Sequence, residues 1–522
     1  MGISRREFTA MLLGAPLAYA CARRGPARIP PGALVETGMR RGHAAVRDAR
    51  AVPAVPRWRR VKVAIVGGGV AGLSAAWELR RRGVTDVVIV ELDDVFGGTA
   101  RGGESSVTPY PWGAHYIVAP QRDDDLAALL AEMGAIEGHA ADGSPIVDEA
   151  LRCREPEERV WWQGRWWEGL YLDAGASPDD RRQLAAFRAE IDRWAGWRDE
   201  QGRRAFAIPR STASPAPELA VLDTYSFAHW LDAHGLVSPR LRWLADYACR
   251  DDYALTAAQT SAWAGIFYFA ARQRAPGAAA QTVVTWPDGN ASLVRELARG
   301  ATIERGLAVV DIDEVTGRMI AVGDAGWIGL ECDAIISCVP RFVANRVIRG
   351  RRGQSHGDYG AWTVANVHLR ARPIERGRGA PPAWDNVFRD SPSLGYVCAT
   401  HQRGRDRGPT VWTWYYAFAD DDAAAVRRKL AGAGYDEWAE VVLADLERAH
   451  PDVREHVERI EVAFWGHGMI RPRVGAMFGA DPTVPIGRVH FAHTDLSGLA
   501  LFEEAFDHGL RAAREVAEAL TA

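Results

Sequence analysis

A glycine-rich turn between a strand and a helix is the feature that most constrains how this chain folds. An almost continuous apolar run, Val61–Val66, leads directly into Gly67-Gly68-Gly69-Val70-Ala71-Gly72. Apolar residues then recur at helical spacing over Val70–Arg82, and a second apolar run follows at Asp86–Leu92. Two buried strands joined by a crossover helix must lie parallel. The sequence therefore predicts an α/β fold that begins with a Rossmann-type unit.

The glycines of this turn, together with an acid at the end of the second strand, predict a dinucleotide site. Gly67 permits the tight turn, Gly69 lets the backbone approach a pyrophosphate, and Gly72 lets the helix pack closely on the strand. The helix N-terminus offers unpaired N–H groups to the phosphates. Glu91 lies where a carboxylate accepts hydrogen bonds from an adenosine ribose and repels a 2′-phosphate. FAD and NAD both satisfy this pattern, whereas NADP does not.

A second pair of glycines follows soon after, within Gly97-Gly98-Thr99-Ala100-Arg101-Gly102. This stretch resembles the second glycine pair of the FAD proteins of the flavin amine oxidase and phytoene desaturase superfamily. The resemblance implies that Gly97, Gly98 and Arg101 lie along the flavin and the pyrophosphate, whose charge suits a guanidinium group. Val309 matches the family's segment whose backbone contacts adenine. The cofactor implied by the resemblance is FAD.

The C-terminal part of the chain extends the resemblance. The family's last strand and acidic flavin contact are matched by His490-Phe491-Ala492-His493-Thr494-Asp495, with His493 in place of a glycine and Asp495 one residue later than usual. The helix that follows contains Glu504 and resembles the one that approaches the flavin ring. No cysteine follows Cys398, so the C-terminal thioether link of monoamine oxidases has no candidate here. FAD is therefore expected to be noncovalent.

The order of these matches implies a particular domain organisation. A Rossmann-type FAD-binding domain is assembled from three segments, and an inserted α+β substrate domain comes from two. The three FAD segments are 59–135, 281–345 and 476–522, and the substrate segments are 136–280 and 346–475. The Arg-, Pro-, Ala- and Gly-rich residues 21–58 are interpreted as a linker.

Four residues are candidates for the chemistry at the flavin. His115 follows the second glycine pair, where it either contacts flavin and substrate or packs at a strand end. Trp465 and His467 lie in the region that gives amine oxidases an aromatic residue of the substrate cage, with a place in the core as the alternative. His493 is expected beside the flavin. Asp251–Asp252 could bind a cationic amine, but a solvated helix end is the favoured interpretation.

The scarcity of lysine bears on how the reduced flavin is reoxidised. Of the 63 basic residues only Lys62 and Lys429 are lysines. Oxidases of the resembled family use a lysine that holds a water at flavin N5. Lys62 lies in the first predicted strand and Lys429 in an Arg-rich surface helix, so neither fills that position. The resemblance therefore implies a dehydrogenase that reacts slowly with oxygen.

The amino-acid composition excludes several classes of protein. With 48% hydrophobic and 25% charged residues, the chain is an ordinary globular protein rather than a disordered or fibrous one. A formal net charge of −4 provides no overall attraction to nucleic acid. The cysteines and histidines show no metal-ligand spacing, so no metal site is predicted.

The first residues predict export. The segment Ser4-Arg5-Arg6-Glu7-Phe8 precedes a short apolar run, Met11–Ala18, and a small-residue cleavage pattern, Ala18-Tyr19-Ala20. Residues 1–20 resemble a twin-arginine signal, which directs the mature protein to the periplasm or cell envelope. Cys21 follows the cleavage pattern and is a candidate for a lipid anchor.

Three hypotheses for function follow. The leading one is an exported FAD-dependent, amine oxidase-like dehydrogenase, which takes a hydride from an amine or related small organic substrate and passes electrons to an unknown acceptor other than oxygen. The second is an FAD-dependent desaturase or isomerase of an apolar, isoprenoid-like substrate. The third is a non-catalytic FAD-binding protein of the cell envelope.

Overall fold

The computed structural model describes residues 29–47, 55, 58–122, 124–354, 357–375, 379–419, 422–479 and 483–521. The predicted signal and the candidate lipid anchor Cys21 lie outside these residues. The strands, in chain order, are β1 (Gly32–Val35), β2 (Trp58–Val66), β3 (Val87–Val90), β4 (Gly102–Gly103), β5 (Tyr110–Pro111), β6 (Tyr116–Val118), β7 (Ile136–His139), β8 (Pro145–Val147), β9 (Glu158–Trp162), β10 (Arg165–Glu168), β11 (Val283–Thr285), β12 (Ile303–Glu304), β13 (Ala308–Asp313), β14 (Arg318–Gly323), β15 (Gly326–Ser337), β16 (Tyr359–Leu369), β17 (Asp385–Phe388), β18 (Gly395–Cys398), β19 (Thr410–Phe418), β20 (Val457–Ile470) and β21 (Val489–Phe491).

Thirteen α-helices accompany these strands in the described part of the chain. They are α1 (Met39–Gly42), α2 (Val70–Arg81), α3 (Asp125–Glu132), α4 (Pro178–Gly196), α5 (Phe227–Ala233), α6 (Pro239–Tyr253), α7 (Ala262–Ala270), α8 (Ala291–Leu297), α9 (Arg341–Val347), α10 (Ala423–Gly432), α11 (Tyr435–Leu446), α12 (Val453–His456) and α13 (Phe502–Ala519). Within the described part of the chain, no helix is both long and apolar enough to cross a membrane.

The first large sheet is the predicted Rossmann-type sheet. Its strands run in the order β12-β3-β2-β15-β14-β13, with β21 also paired to β15. The pairs β12–β3, β3–β2, β2–β15 and β15–β21 are parallel, while β13, β14 and β15 form an antiparallel meander. Strands from the start, middle and end of the chain thus meet in one sheet. This arrangement confirms the predicted α/β, Rossmann-type fold.

The first and last long helices of this layer cross at very short range. Gly509 of α13 lies against the start of α2, where a Cβ would come within 2.4 Å of the Ala71 carbonyl oxygen and 2.8 Å of Ser74 Cβ. Only glycine fits such a crossing without a shift of backbone. The C-terminal helix is thereby held over the glycine-rich turn.

The second large sheet forms the opposite layer. Its order is β1-β20-β16-β19-β18-β17-β9-β10, and most neighbours are antiparallel. Every residue of β16 is buried, because helices α10 and α11 cover one face, and the layer built on the first sheet, called the cofactor layer below, covers part of the other. Helices α4–α7 pack together into a separate apolar cluster at the side. Among the described residues, the layer built on this second sheet, which is called the substrate sheet below after its predicted role, contains both sheet and helix.

Part of the predicted linker is regular structure. Strand β1 pairs in parallel with β20, and a Cβ on Gly32 would come within 1.8 Å of the Ile460 carbonyl oxygen. Arg41 then donates to the Leu92 carbonyl oxygen at 2.8 Å, at the end of β3. This strand has little signal in the amino-acid pattern, because four residues at a sheet edge are held mainly by backbone hydrogen bonds to a distant part of the chain.

Candidate functional site

A cavity of about 490 Å³ lies between the two large sheets. It opens beyond the carboxyl ends of β2, β3, β15 and β21, where open α/β sheets bind their ligands. Eleven of the fourteen predicted site residues line it: Gly67, Gly69, Glu91, Gly97, Gly98, His115, Val309, Trp465, His467, His493 and Asp495. The other three, Gly72, Arg101 and Glu504, lie outside the lining and are described below.

The glycine-rich turn has the geometry that a pyrophosphate requires. Gly67 has a φ of +104°, and its N–H donates to the Val90 carbonyl oxygen at 2.9 Å. A Cβ on Gly72 would lie 1.9 Å from the Gly67 carbonyl oxygen, so its missing side chain allows α2 to begin against β2. A Cβ on Gly69 would meet nothing within 4 Å. The Gly69 backbone thus borders empty space of the cavity, at the N-terminus of α2.

Glu91 organises this turn from the end of β3. Its Oε2 accepts from the Gly68 N–H at 2.6 Å, and its Oε1 accepts from the Asp93 N–H at 2.8 Å. Burial raises the pKa of the Glu91 carboxyl, although the two N–H donors oppose the rise. Each carboxylate oxygen has a further lone pair, so Glu91 can also accept from a ribose hydroxyl in the cavity that it lines.

The second glycine pair lies against the first. Gly97 and Gly98 have φ values of +109° and +57°, which other residues rarely adopt. The Gly97 N–H donates to the Gly68 carbonyl oxygen at 2.7 Å. The two glycine-rich segments therefore form one continuous backbone surface at the cavity.

The structure places Arg101 differently from the prediction. Its Nη1 donates to Asp93 Oδ2 at 2.6 Å, its Nη2 donates to the Glu36 carbonyl oxygen at 3.0 Å, and its guanidinium lies 5.0 Å from the Trp465 ring centre. It is buried away from the cavity lining. Arg101 thus joins the cofactor loop to the N-terminal segment and the substrate sheet, rather than facing a pyrophosphate. The nearby acid Asp93 supplies its counter-charge.

Glu504 also departs from the expected position. Its Oε1 accepts from the Arg210 N–H at 2.6 Å, on the side of α13 away from the cavity. The preceding residue, Glu503, lines the cavity and accepts from the Val118 N–H at 2.9 Å. Burial raises the pKa of Glu503 to about 7 and that of Glu504 to about 8. One residue along a helix turns a side chain by about 100°, so a shift of one position exchanges the two faces.

Asp495 lines the cavity although it stands one residue later than the family pattern. Its Oδ1 lies 2.9 Å from His493 Nδ1, while its Oδ2 accepts from the Arg341 N–H at 2.7 Å and from the Tyr359 hydroxyl. Burial would raise the pKa of Asp495, but these partners hold it below its usual value. A 3-10 turn, Thr494–Leu496, brings the carboxylate back to the cavity.

Aromatic side chains of the substrate sheet form the opposite wall. Trp465 and Trp362 are opposite each other on paired strands, and Trp362 stacks with Tyr415 at 6.4 Å between ring centres. The Trp465 Nε1 donates to the Trp112 carbonyl oxygen at 2.8 Å, which fixes the ring. His467 stacks on Phe342 at 4.2 Å. Trp362, Tyr415, Trp465 and His467 all line the cavity.

Trp362 and Tyr415 were not among the predicted site residues. Both belong to alternating aromatic and β-branched runs in which every second residue points to the same face. That alternation is the signal that could have identified them. It does not by itself say which face meets the cofactor layer.

His115 carries one of the buried polar atoms in the wall of this cavity that lack a partner among the described residues, as do Trp362 and Asn290. Its Nδ1 has no hydrogen-bond partner among the described residues, and burial lowers the pKa of the ring to about 4. The imidazole is therefore neutral at neutral pH. Its ring contacts Tyr415 at 5.4 Å and Trp384 at 6.3 Å between centres.

Asn290 carries another such atom. Its Nδ2 donates to the Tyr116 carbonyl oxygen at 2.9 Å, while its Oδ1 has no partner among the described residues. The side chain is completely buried and lines the cavity. Because buried polar atoms in proteins are nearly always hydrogen-bonded, Asn290 and His115 point to a ligand that supplies the missing partner.

The expectation that Asp251–Asp252 form a solvated helix end is wrong. Both residues line the cavity, and Asp252 is buried. Arg272 Nη2 donates to Asp252 Oδ2 at 2.9 Å and to the Tyr116 hydroxyl at 3.3 Å. Helix α6 ends beneath the cofactor layer, so its last turn faces the cavity instead of solvent.

These features fit FAD. The glycine turns offer backbone N–H groups and a helix N-terminus to a pyrophosphate, Glu91 can hold a ribose, and Val309 borders the same cavity. The turn of Asp495 and the start of α13 lie where the C-terminal segment meets the aromatic wall. Neither lysine lines the cavity, since Lys62 lies in β2 and Lys429 in α10.

Comparison with known proteins agrees with this geometry. A family model described as an NAD(P)-binding Rossmann-like domain matches residues 65–133. A lysine-specific histone demethylase 1B homolog from Caenorhabditis elegans is 32% identical over 94 residues, which is 18% of this chain. That match spans only 11% of the demethylase homolog.

Solved structures match over most of the chain. A putrescine oxidase bound to putrescine has a TM-score of 0.62 at 19% identity, covering 88% of this chain and 99% of that one. Cyclohexylamine oxidase from Brevibacterium oxydans has a TM-score of 0.61 at 17% identity, covering 88% and 100%. A fatty acid isomerase from P. acnes has a TM-score of 0.58 at 17% identity, covering 87% and 98%. The chain therefore has the fold of the FAD-dependent amine oxidases, with a Rossmann-type domain for its dinucleotide cofactor, FAD.

Proposed function

We propose that this protein is an FAD-dependent amine dehydrogenase. The observation that carries the proposal is the pairing, in one cavity, of a complete dinucleotide cradle with an aromatic wall and an acidic end. Aromatic faces and carboxylates together suit a cationic amine. The solved relatives named for amine oxidation share the fold and support the same direction.

The residues that line the cavity have different roles in the proposed reaction. Bound FAD would supply the redox chemistry, by accepting a hydride from the carbon next to the amine nitrogen. Trp362, Tyr415 and Trp465 orient the substrate and exclude water from it. His115 is neutral and buried. Its Nδ1 can therefore form a hydrogen bond with the amine without adding a positive charge.

Reoxidation by an acceptor other than oxygen is part of the proposal. It is supported by the position of the two lysines, neither of which borders the cavity. We expect amines to bleach the flavin absorbance under anaerobic conditions and the bleached flavin to recover slowly in air. Peroxide formation at a rate typical of oxidases would contradict the dehydrogenase assignment while leaving amine oxidation intact.

The same assay separates the alternatives. If only polyenes or other apolar compounds change the flavin spectrum, the desaturase or isomerase hypothesis replaces the leading one. The fatty acid isomerase among the structural relatives keeps that hypothesis open, but carboxylates at the cavity disfavour an anionic substrate. If no compound reduces the bound flavin, the protein is a non-catalytic FAD-binding protein.

Export by the twin-arginine pathway is also proposed, with the periplasm or envelope as destination. The support is the order of paired arginines, apolar run and small residues in the first twenty positions. Replacing Arg5 and Arg6 by lysine should retain the protein in the cytoplasm, as measured by fractionation. Labelling with a radioactive fatty acid would test lipidation of Cys21.

A further inference from the structure

A second, smaller cavity lies on the face of the substrate sheet that points away from the cofactor cavity. Its volume is about 130 Å³, and Cys398 of β18 and Trp412 of β19 line it. These two residues are directly opposite each other on paired strands. Trp412 and the cofactor-facing Tyr415 point to opposite faces, because successive side chains of a strand alternate. The sheet therefore separates the two cavities.

Arg372 gives the smaller cavity a positive charge that no carboxylate balances. Its Nη1 donates to Cys398 Sγ at 3.3 Å, and its Nη2 donates to Thr400 Oγ1 at 2.7 Å. Nη2 also donates to the Arg405 carbonyl oxygen. Among the described residues, none of the acceptors bound to this guanidinium is a carboxylate.

The other titratable side chains around this cavity are bonded elsewhere. Two arginines each hold a carboxylate through two nitrogens, a tyrosine is bonded to a histidine, and a second histidine is bonded to backbone. These contacts are Arg159–Glu375, Arg154–Asp406, Tyr396–His450 and His401 with the Arg154 carbonyl oxygen. The Cys398 thiol is therefore the ionisable acid to which Arg372 is bonded.

The surroundings of Cys398 favour its thiolate. The hydroxyl oxygens of Thr400 and Thr410 each lie 3.5 Å from Sγ, within hydrogen-bonding range of sulfur. Burial would raise the pKa of the Cys398 thiol, but the charge of Arg372 and the hydrogen bonds of the two hydroxyls hold it below its ordinary value. The thiolate is the form of cysteine that reacts as a nucleophile.

The other described cysteines have the opposite surroundings. Burial raises the pKa of Cys249, Cys332 and Cys338. Cys153 is more exposed than Cys398, yet burial and the charges of neighbouring acids raise its pKa as well. Exposure alone thus predicts that Cys153 reacts first, whereas the arrangement of charges predicts Cys398.

Two N–H donors of the smaller cavity lack an acceptor among the described residues. They are Trp412 Nε1 and Arg372 Nε. Trp412 is only 3% exposed, and its ring is stacked on Tyr396 at 4.2 Å between centres. Because buried polar atoms are nearly always hydrogen-bonded, these donors indicate a ligand with an acceptor oxygen. Side chains directly opposite on paired strands are neighbours, so that oxygen lies beside Cys398 Sγ.

We propose that Cys398 is a modification site for small hydroperoxides such as hydrogen peroxide. The thiolate sulfur attacks one peroxide oxygen, so that an S–O bond forms and the O–O bond breaks. Sulfur is oxidised by two electrons to a sulfenic acid, and the peroxide is reduced. The hydroxide that leaves takes a proton from solvent and becomes water. Trp412 Nε1 and Arg372 Nε donate hydrogen bonds to the peroxide oxygens.

The test follows every cysteine of the flavin-loaded wild-type protein by peptide mass spectrometry. One experiment uses limiting iodoacetamide between pH 6 and pH 9, and the other uses hydrogen peroxide at pH 7, followed by denaturation and alkylation of the remaining thiols. We expect Cys398 to react about tenfold or more faster than Cys153 in both, because each pKa unit changes the thiolate fraction tenfold. Dithiothreitol should restore the peroxide-treated Cys398. Equal or faster reaction of Cys153 would overturn the inference.

Variants of Arg372 test the source of this reactivity. Arg372→Met should move the pH profile of Cys398 alkylation to higher pH, and Arg372→Lys, which keeps the charge, should move it less. Arg370→Met is the control, because Arg370 is exposed and only two residues away. An unchanged profile in Arg372→Met would contradict the inference. The wild-type comparison of Cys398 with Cys153 decides it if the variant fails to fold.

Trp412→Phe tests the peroxide site itself. It removes the N–H donor and keeps an aromatic ring, so the peroxide reaction of Cys398 should slow about fivefold, as for the loss of one hydrogen bond. Alkylation by iodoacetamide should stay within about twofold, because that reaction does not break an O–O bond. Trp438→Phe is the control, since Trp438 is also buried with an unpartnered Nε1 but does not line this cavity. An unchanged peroxide rate in Trp412→Phe would refute this cavity as the peroxide site.

Discussion

At the scale of single residues, the glycines of the first turn decide whether the cofactor site exists. Gly72 is the most restrictive of them, because a Cβ there would lie 1.9 Å from the Gly67 carbonyl oxygen and 3.2 Å from Ile65 Cγ2. The clash is with backbone, which cannot rotate away as a flexible side chain can. The close contact between α2 and β2 that Gly72 permits is therefore as necessary for the cofactor site as Gly69 is.

Gly72→Ala tests this directly. We expect a loss of stability of about 1–3 kcal/mol, as for overpacking, together with a marked fall in the FAD bound per chain. Flavin absorbance and urea unfolding measure the two effects. The control is Gly432→Ala, because a Cβ there would meet nothing within 4 Å. Full FAD occupancy in Gly72→Ala would contradict the proposed role of this contact.

At the scale of elements, α13 combines two buried acids in its first turn. Glu504 accepts the Arg210 N–H, and Glu503 accepts the Val118 N–H, so the start of the helix is bonded to the segment at Arg210 and to β6. Carboxylates are favoured at a helix N-terminus, yet burial dominates both groups and raises their pKa values. Protonation of this turn is therefore linked to folding.

Glu504→Gln should flatten the dependence of stability on pH. The folded pKa of about 8 exceeds the ordinary value of 4.5, so between them the folded protein holds a proton that the unfolded chain has lost. Stability therefore falls as pH rises through this interval, by at most about 1.4 kcal/mol per unit from one group. Urea unfolding between pH 5 and pH 8 measures the slope, with Glu437→Gln on the exposed start of α11 as control. Parallel slopes for wild type and Glu504→Gln would contradict the assignment.

At the scale of the whole molecule, the cofactor cavity joins distant parts of the chain. Its wall includes Gly67 from the first turn, Val309 from β13, Asp495 from the C-terminal segment and Trp465 from the substrate sheet. A ligand that fills this cavity contacts all of them at once. Cofactor binding and the stability of the whole protein are therefore coupled.

Excess FAD should raise the melting temperature of cofactor-depleted protein. At a concentration a thousandfold above its Kd, a ligand adds about 4 kcal/mol of stability, which corresponds to a shift of a few degrees for a chain of this size. FMN lacks the adenosine that Glu91 and Val309 are positioned to receive, and we expect it to shift the melting temperature much less. Tryptophan fluorescence follows the transition. Equal stabilisation by FMN would show that the adenosine end of the site is not used.

The sequence by itself determined the Rossmann unit, the two glycine pairs, Glu91 and the dinucleotide cofactor. These features are local: a glycine turn between a strand and a helix fixes backbone conformation within a few residues, and an amino-acid pattern records that requirement directly. Gly67, Gly69, Glu91, Gly97 and Gly98 line the cavity for the same reason. The edge strand at residues 32–35 was not predicted, because it is stabilised by pairing with β20, which is distant in the sequence.

Only the tertiary structure decided which side chains face the cofactor. The Arg101 side chain points away from the cavity because its guanidinium donates hydrogen bonds to Asp93 and to the Glu36 carbonyl oxygen. Glu503 faces the cavity instead of Glu504 because of the rotation of one helix. Asp251 became a wall residue because α6 ends under the cofactor layer. In each case the deciding contact joins residues that are distant in sequence or depends on how an element is oriented, and a local pattern carries no record of either.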